Sequence, residues 1–155
     1  MKVTLLTVGK TDIPWVKSGL EMYAQRLGHY LKFAVNEIPE LKGAGSLSEE
    51  QIKEKEGELI LKALGQAEMI LLDERGKQMR SIEFAAQLQK RLNMGRDLTF
   101  VVGGAYGFSK AVYDRAAGMI SLSVMTFSHQ IVRAIFAEQL YRACTIIKGE
   151  PYHHE

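Results

Sequence analysis

Side chains able to move protons or hold anions gather toward the carboxyl end: His129, Arg133, Glu138 and Arg142 along an otherwise apolar stretch, then Tyr152 and His153 in the tail PYHHE. Glu138 and Arg142 have the i, i+4 spacing of a helical ion pair, which by itself supplies only a small surface stabilisation. Arg133 and Arg142 are separated by about two and a half helical turns and so face different sides of one helix. One of them is then available for a subunit contact or a second site. His153, His154 and Glu155 also form a metal-capable trio. That is the weaker reading, because adjacent residues rarely all face one ion and no distant Cys/His set completes a site.

These groups need a scaffold, and the stretch LTFVVGGAYGFS, Leu98 to Ser109, organises it. Its unbroken apolar start reads as a strand buried on both faces. Gly103 and Gly104 end that strand, where a missing Cβ permits positive φ or the close approach of another molecule. Ligands of open α/β sheets bind at the carboxyl ends of the strands, and two further strand ends, Leu72 with Asp73 and Leu122 through Phe127, would share that edge. Backbone groups beside apolar side chains suit a flat heteroaromatic ring better than a cluster of phosphates. The loop GGAYGFSK has neither the P-loop ending nor the G-x-G-x-x-G order, which argues against ATP, GTP and NAD.

Strands are expected at Val3–Val8, Leu31–Ile38, Met69–Leu72, Leu98–Val102 and Met119–Ser123. The first helix opens at Pro14 with Thr11 or Asp12 as cap, and its stripe of Trp15, Tyr23 and Leu27, with Leu20 close by, faces inward. A second follows Ser48, with Gln51 at the capping-box position, Ile52, Leu59, Ile60 and Leu64 as its apolar face and KEKEGE as a solvated charge run. Ser81 caps a third, carrying Ile82, Ala85, Leu88 and Leu92. A short helix follows Ser109, and the longest runs from His129 or Gln130 to Gly149. Residues 40–48 read as a loop. Strands alternating with helices predict an α/β fold, a mostly parallel sheet flanked by helices, in a single domain over residues 1–155.

The chain has 155 residues, 46% of them hydrophobic and 25% charged, which suits one soluble domain that needs neither metal nor disulfides. A lone Cys144 excludes an intramolecular disulfide. The opening MKVTLLTVG is too brief for a signal-peptide core, and no segment approaches the roughly 18 apolar residues of a membrane span, so a cytoplasmic protein with no membrane partner is expected. A net charge of +2 is too small to argue nucleic-acid binding. An RNA footprint must come from clustering. Lys10, Lys17 and Arg26 could extend one, although solvated helix charges are the plainer reading.

Four segments in this order, FVVGGAYGFS, ISLSVMTFSHQIVR, AEQLYRA and PYHHE, together with the opening MKVTLLTVGK and the IPW after it, resemble the RlmH family, the ribosomal large-subunit pseudouridine methyltransferases of the SPOUT superfamily. The resemblance spans nearly the whole chain. One position departs: members commonly end PYHRE, and His154 stands where that arginine would be, which puts a charge-based role there in question at neutral pH. The resemblance implies a SPOUT-type α/β knot, with a deep trefoil knot near the carboxyl end, and a homodimer. It implies S-adenosyl-L-methionine bound in bent form by Leu72, Gly103, Gly104, Leu122, Ser123, Val124, Met125, Thr126 and Phe127, without a metal. The implied reaction is methylation of N3 of a pseudouridine in 23S rRNA, on the large subunit or the assembled ribosome. On that reading Glu138 and His153 are candidates to take the N3 proton, Arg142 or Arg133 to stabilise the developing anion or hold phosphate, and Tyr152 to stack, with His129 nearby. The residues themselves leave open a non-enzymatic ribosome-binding module and a flavodoxin-like nucleotide binder.

Overall fold

A computed structural model describes residues 1–154. Five strands, β1 (Val3–Val8), β2 (Phe33–Ile38), β3 (Glu68–Gln78), β4 (Leu98–Val102) and β5 (Gly118–Ser121), alternate with helices α1 (Pro14–Leu27), α2 (Glu49–Leu64), α3 (Ser81–Asn93), α4 (Lys110–Arg115) and α5 (Ile131–Ile147). The strands pair in parallel in the order β2-β1-β4-β3-β5. A flavodoxin-like sheet would run 2-1-3-4-5. Here the third and fourth strands are exchanged, which overturns that alternative.

All five residues of β4 are buried, as the unbroken apolar run predicts for a strand covered on both sides. Leu98, Phe100 and Val102 enter a core with Leu20, Leu27, Phe84, Leu88, Phe136 and Leu140 of α1, α3 and α5. Val101 points the other way, to Ile60 and Leu64 of α2 and Val112 of α4. The period-2 alternation of each strand thus feeds two cores, and the result is three layers, helix on sheet on helix.

Four local expectations are corrected. On α1 the inward residues are Val16, Leu20 and Leu27, while Trp15 is 64% exposed. Neither Thr11 nor Asp12 caps that helix, because Thr11 is buried and its hydroxyl accepts from Arg133, and the Asp12 amide donates to Gln130. On α3 the residue before the helix is Arg80, whose amide donates to Glu83; the Ser81 hydroxyl instead reaches Gln139 on α5, and Ile82 turns outward. The run KEKEGE is not wholly solvated: Glu56 and Gly57 are buried, and a Cβ at Gly57 would lie 2.4 Å from the Ser109 hydroxyl that caps α4. The Ser48–Gln51 capping box does form, at 3.1 and 2.9 Å.

Strand β3 does not end at Leu72. Residues 73–76 swing out of the ladder and the strand rejoins at Lys77, which opposes the same Ile120 that Leu72 opposes. Gly76 permits this, since a Cβ there would sit 2.7 Å from backbone atoms of Met119 and Ile120. What reads in sequence as a polar exit is a bulge displayed at the carboxyl edge of the sheet.

Candidate active site

That edge holds a cleft of about 890 Å³. Its walls come from the end of β3, from the loop after β4 and from the segment between β5 and α5. Leu72, Gly103, Gly104, Leu122, Ser123, Met125, Thr126 and Phe127 all line it; Val124 does not, and is 74% exposed. His129 lines it too, beside Ile120 and Val132. The bulge brings in Asp73, expected there beside Leu72, together with Glu74 and Arg75, and α4 adds Tyr113; the last three were missed as site residues. Their signal was present only as a polar cluster at a strand end.

The two glycines act differently from expectation. Neither has positive φ; Gly107, further along the loop, does, at 84°. Their missing Cβ atoms make room for this chain's own side chains. A Cβ on Gly103 would meet the Phe108 ring at 3.0 Å, and one on Gly104 would meet the Glu56 carboxyl at 2.6 Å. The loop is thin because Phe108 and Glu56 press on it from behind.

Hydroxyls shape the opposite wall. Ser121 donates to the Ser123 carbonyl at 2.8 Å, and the Ser123 hydroxyl accepts the Met125 amide at 3.0 Å. Ser128 accepts the amides of Gln130 and Ile131, starting α5. Thr126 donates to Glu74 at 2.6 Å and so joins this wall to the bulge. Within the bulge, Asp73 accepts from the Tyr113 hydroxyl and from the Arg75 amide and guanidinium. Burial pushes the Asp73 carboxyl up, but those donors outweigh it and hold the group below the ordinary carboxylate range. Burial and then Asp73 raise the Tyr113 phenol.

Arg133 is not in the cleft and is fully buried. Its guanidinium donates to the carbonyls of Val8 and Gly9 and to the Thr11 hydroxyl, each at 2.9 Å, and to the His129 carbonyl at 2.8 Å; Glu37 lies 3.5 Å away. With its donors committed to β1, this side chain cannot hold a phosphate or meet an anion, which corrects the expected role. It positions instead, aided by Gln130, which donates to the Lys10 carbonyl and accepts from the Asp12 amide. Together they fasten the root of α5, and so His129, to the end of β1.

Glu138, Arg142, Tyr152 and His153 form a second cluster, and none of them lines the cleft. Arg142 donates to Glu138 at 2.5 Å, lies 3.2 Å from His153 Nδ1 and stands 4.8 Å from the Tyr152 ring centroid. Tyr152 donates to Glu138 at 3.0 Å and packs edge-on against Tyr141, beside which Arg26 lies over the rings of Tyr23 and Tyr141. Burial, then hydrogen bonds with Tyr23 and Glu138, raise the Tyr152 phenol. A guanidinium only donates, so His153 Nδ1 accepts, and Nε2 carries the proton of the neutral ring. The tail is therefore laid onto its own helix; His154 is exposed and Glu155, the third member of the metal-capable trio, lies outside the described residues. Cys144 is buried, and burial pushes its thiol up to about 12, leaving it inert.

Known proteins are similar to this sequence from end to end. A family model described as predicted SPOUT methyltransferase matches residues 1–153. The chain is 52% identical to ribosomal RNA large subunit methyltransferase H of Parabacteroides distasonis and 54% identical to the protein of that name from Bacteroides thetaiotaomicron, with all of each chain covered. Among solved structures, the SpoU methyltransferase AviRb from Streptomyces viridochromogenes, crystallised with AdoMet, aligns at a TM-score of 0.42 and 12% identity, over 96% of this chain and 61% of its own. Matched over its length by the family model and by close relatives, the chain belongs to the SPOUT methyltransferase family.

Proposed function

We propose that this protein transfers a methyl group from S-adenosyl-L-methionine to N3 of a pseudouridine in 23S rRNA, as a homodimer working in the cytoplasm on the large subunit or whole ribosome. The observation that carries the reading is the cleft. Its volume of about 890 Å³ lies within the range of small-molecule sites, and its apolar walls are interrupted by backbone groups and hydroxyls from three converging strand ends. Leu72, Gly103, Gly104, Leu122, Ser123, Met125, Thr126 and Phe127 would hold the donor, which supplies an electrophilic methyl on a sulfonium. Rate then depends on aligning the attacking nitrogen and on managing its proton.

The α5 cluster suits the second task. Arg142 can stabilise the anion that N3 becomes, and Tyr152 offers a stacking face. Glu138 already accepts from Arg142, Tyr152 and Gln139. His153 can accept the N3 proton at Nδ1 only by releasing Arg142, so substrate arrival and proton acceptance would be one event. Because this cluster stands outside its own chain's cleft, a two-fold partner is needed to bring it to one. Trp15 and Met22, two turns apart on one exposed face of α1, leave an apolar stripe that such a partner would cover.

The reading includes a trefoil knot. In its support, the exchange of β3 and β4 departs from the flavodoxin-like order, and Gln130 and Arg133 bind the start of α5 to the end of β1. Stretching one molecule from both termini should leave the extended chain shortened, and full extension would exclude the knot.

The decisive experiment incubates the purified protein with methyl-labelled donor and either ribosomes or an isolated 23S stem-loop, followed by mass spectrometry of the RNA. Label at one pseudouridine N3, in ribosomes far more than in the stem-loop, is expected. No label in ribosomal RNA would reject the activity, and equal label in both would reject the ribosome as the substrate.

A further inference from the structure

Among the described residues, Glu56 Oε1 is the buried side-chain polar atom that finds no hydrogen-bond partner. Native proteins rarely leave such an atom, since its desolvation is not repaid, and an exception calls for a reason. Glu56 is only 9% exposed, on the α2 face that also sends Lys53 and Glu50 to the cleft. Its two carboxyl oxygens fill the space where Gly104 lacks a Cβ, so it stands one residue's thickness behind the cleft wall.

The charges around it supply no counter-ion. Glu40, from the segment after β2, is the ionisable group whose charge bears on it, and it is negative. The glycine loop presents Gly104, the start of α4 presents Ser109 against neighbouring Gly57, and Lys53 is paired with Glu50 at 2.9 Å. Burial first, and Glu40 second, raise the Glu56 carboxyl above the ordinary range.

We propose that Glu56 is the buried counter-charge of the cleft, held behind the glycine loop to favour a bound molecule carrying a positive charge over a neutral one of the same shape. The inference rests on the methyl-donor reading given above. The donor is a sulfonium cation, whereas S-adenosylhomocysteine, left after transfer, has a neutral thioether. A carboxylate behind the wall therefore retains the donor and lets the spent product go. A cation arriving in the cleft also favours the ionised carboxyl, so binding releases a proton where Glu56 is still protonated.

Calorimetric titration of the full-length protein with both compounds tests this. The wild type should bind S-adenosyl-L-methionine about tenfold more tightly than S-adenosylhomocysteine, one pKa unit of coupling, and Glu56→Gln should remove that preference while leaving the homocysteine affinity within about twofold. Equal weakening of both, or of neither, overturns the proposal. Should Glu56→Gln not fold, the wild type is titrated upward from the ordinary carboxylate range to neutral pH, since burial and Glu40 move the Glu56 carboxyl up from that range. Donor affinity should rise with pH while homocysteine affinity stays level, and parallel curves overturn the proposal. His129 also lines the cleft, so the slope must persist in His129→Gln; its loss there also overturns the proposal. If the wild type binds neither compound, the donor reading itself fails, a result distinct from binding without charge preference.

Discussion

The two arginines of α5 make an instructive pair. Arg133 is completely buried and gives its donors to the Val8 and Gly9 carbonyls and the Thr11 hydroxyl; Arg142, with a quarter of its side chain exposed, gives one nitrogen to Glu138 and keeps the face of its guanidinium over Tyr152. Residue type and helix are the same, and the environments are opposite. A buried guanidinium is tolerated because β1 ends in carbonyls with no further strand residue to bond them, and the planar fork matches several at once. The exposed one is held by groups that could exchange it for a substrate. An arginine near a site can therefore build the site or act in it, and burial with hydrogen-bond saturation tells the two apart.

The comparison can be broken most severely at Arg133. Arg133→Met should cost about 3–5 kcal/mol of stability, because the Val8 and Gly9 carbonyls and the Thr11 hydroxyl each lose a charged donor and Glu37 keeps only the Thr11 amide. Urea denaturation measures it, and a loss below about 1 kcal/mol would deny the positioning role. Arg142→Ala should reverse the pattern. Methyl transfer on ribosomes should fall by about 10²-fold, the loss expected when one stabilising donor is removed, with stability changed by about 1 kcal/mol or less. Equal losses of stability in the two variants would erase the distinction.

Smaller effects sharpen it. Tyr152→Phe keeps the ring against Tyr141 and Arg142 but removes the hydroxyl from Glu138, so stability should fall by about 1 kcal/mol and RNA affinity by only a few-fold. A third arginine, Arg75, supplies the weakest case, since it is mostly exposed and pairs with Asp73 at the cleft mouth. The Asp73 carboxyl lies below its unfolded value, so its stabilisation is present above about pH 4 and is lost as pH falls through the folded value. Asp73→Asn should flatten the acid limb of the stability curve there, by less than about 1 kcal/mol in all, read from thermal unfolding against pH.

Local pattern made much of the molecule legible. The apolar run of β4, the capping box at Ser48 and the strand ends that meet in the cleft follow from periodicity and turn chemistry, which act over a few residues. Trp15 and Ile82 could not be placed that way, because which side of a helix turns inward depends on the neighbour it meets. Glu56 is the sharper case: within KEKEGE it is one more charge, and only the approach of the glycine loop to α2 buries it.

The amino-acid sequence by itself determined the alternation of strands and helices, the place of the cleft at the carboxyl edge and the family resemblance carried by four ordered segments. Tertiary structure alone decided the exchange of β3 and β4, the return of β3 after its bulge, and which arginine of α5 is buried against β1 and which stays exposed beside Tyr152. Periodicity records how a segment meets its own next turn. Which strand lies beside which is set by pairings between residues tens of positions apart, and which carbonyls remain for a distant guanidinium by contacts across more than a hundred, and short-range pattern carries no trace of either.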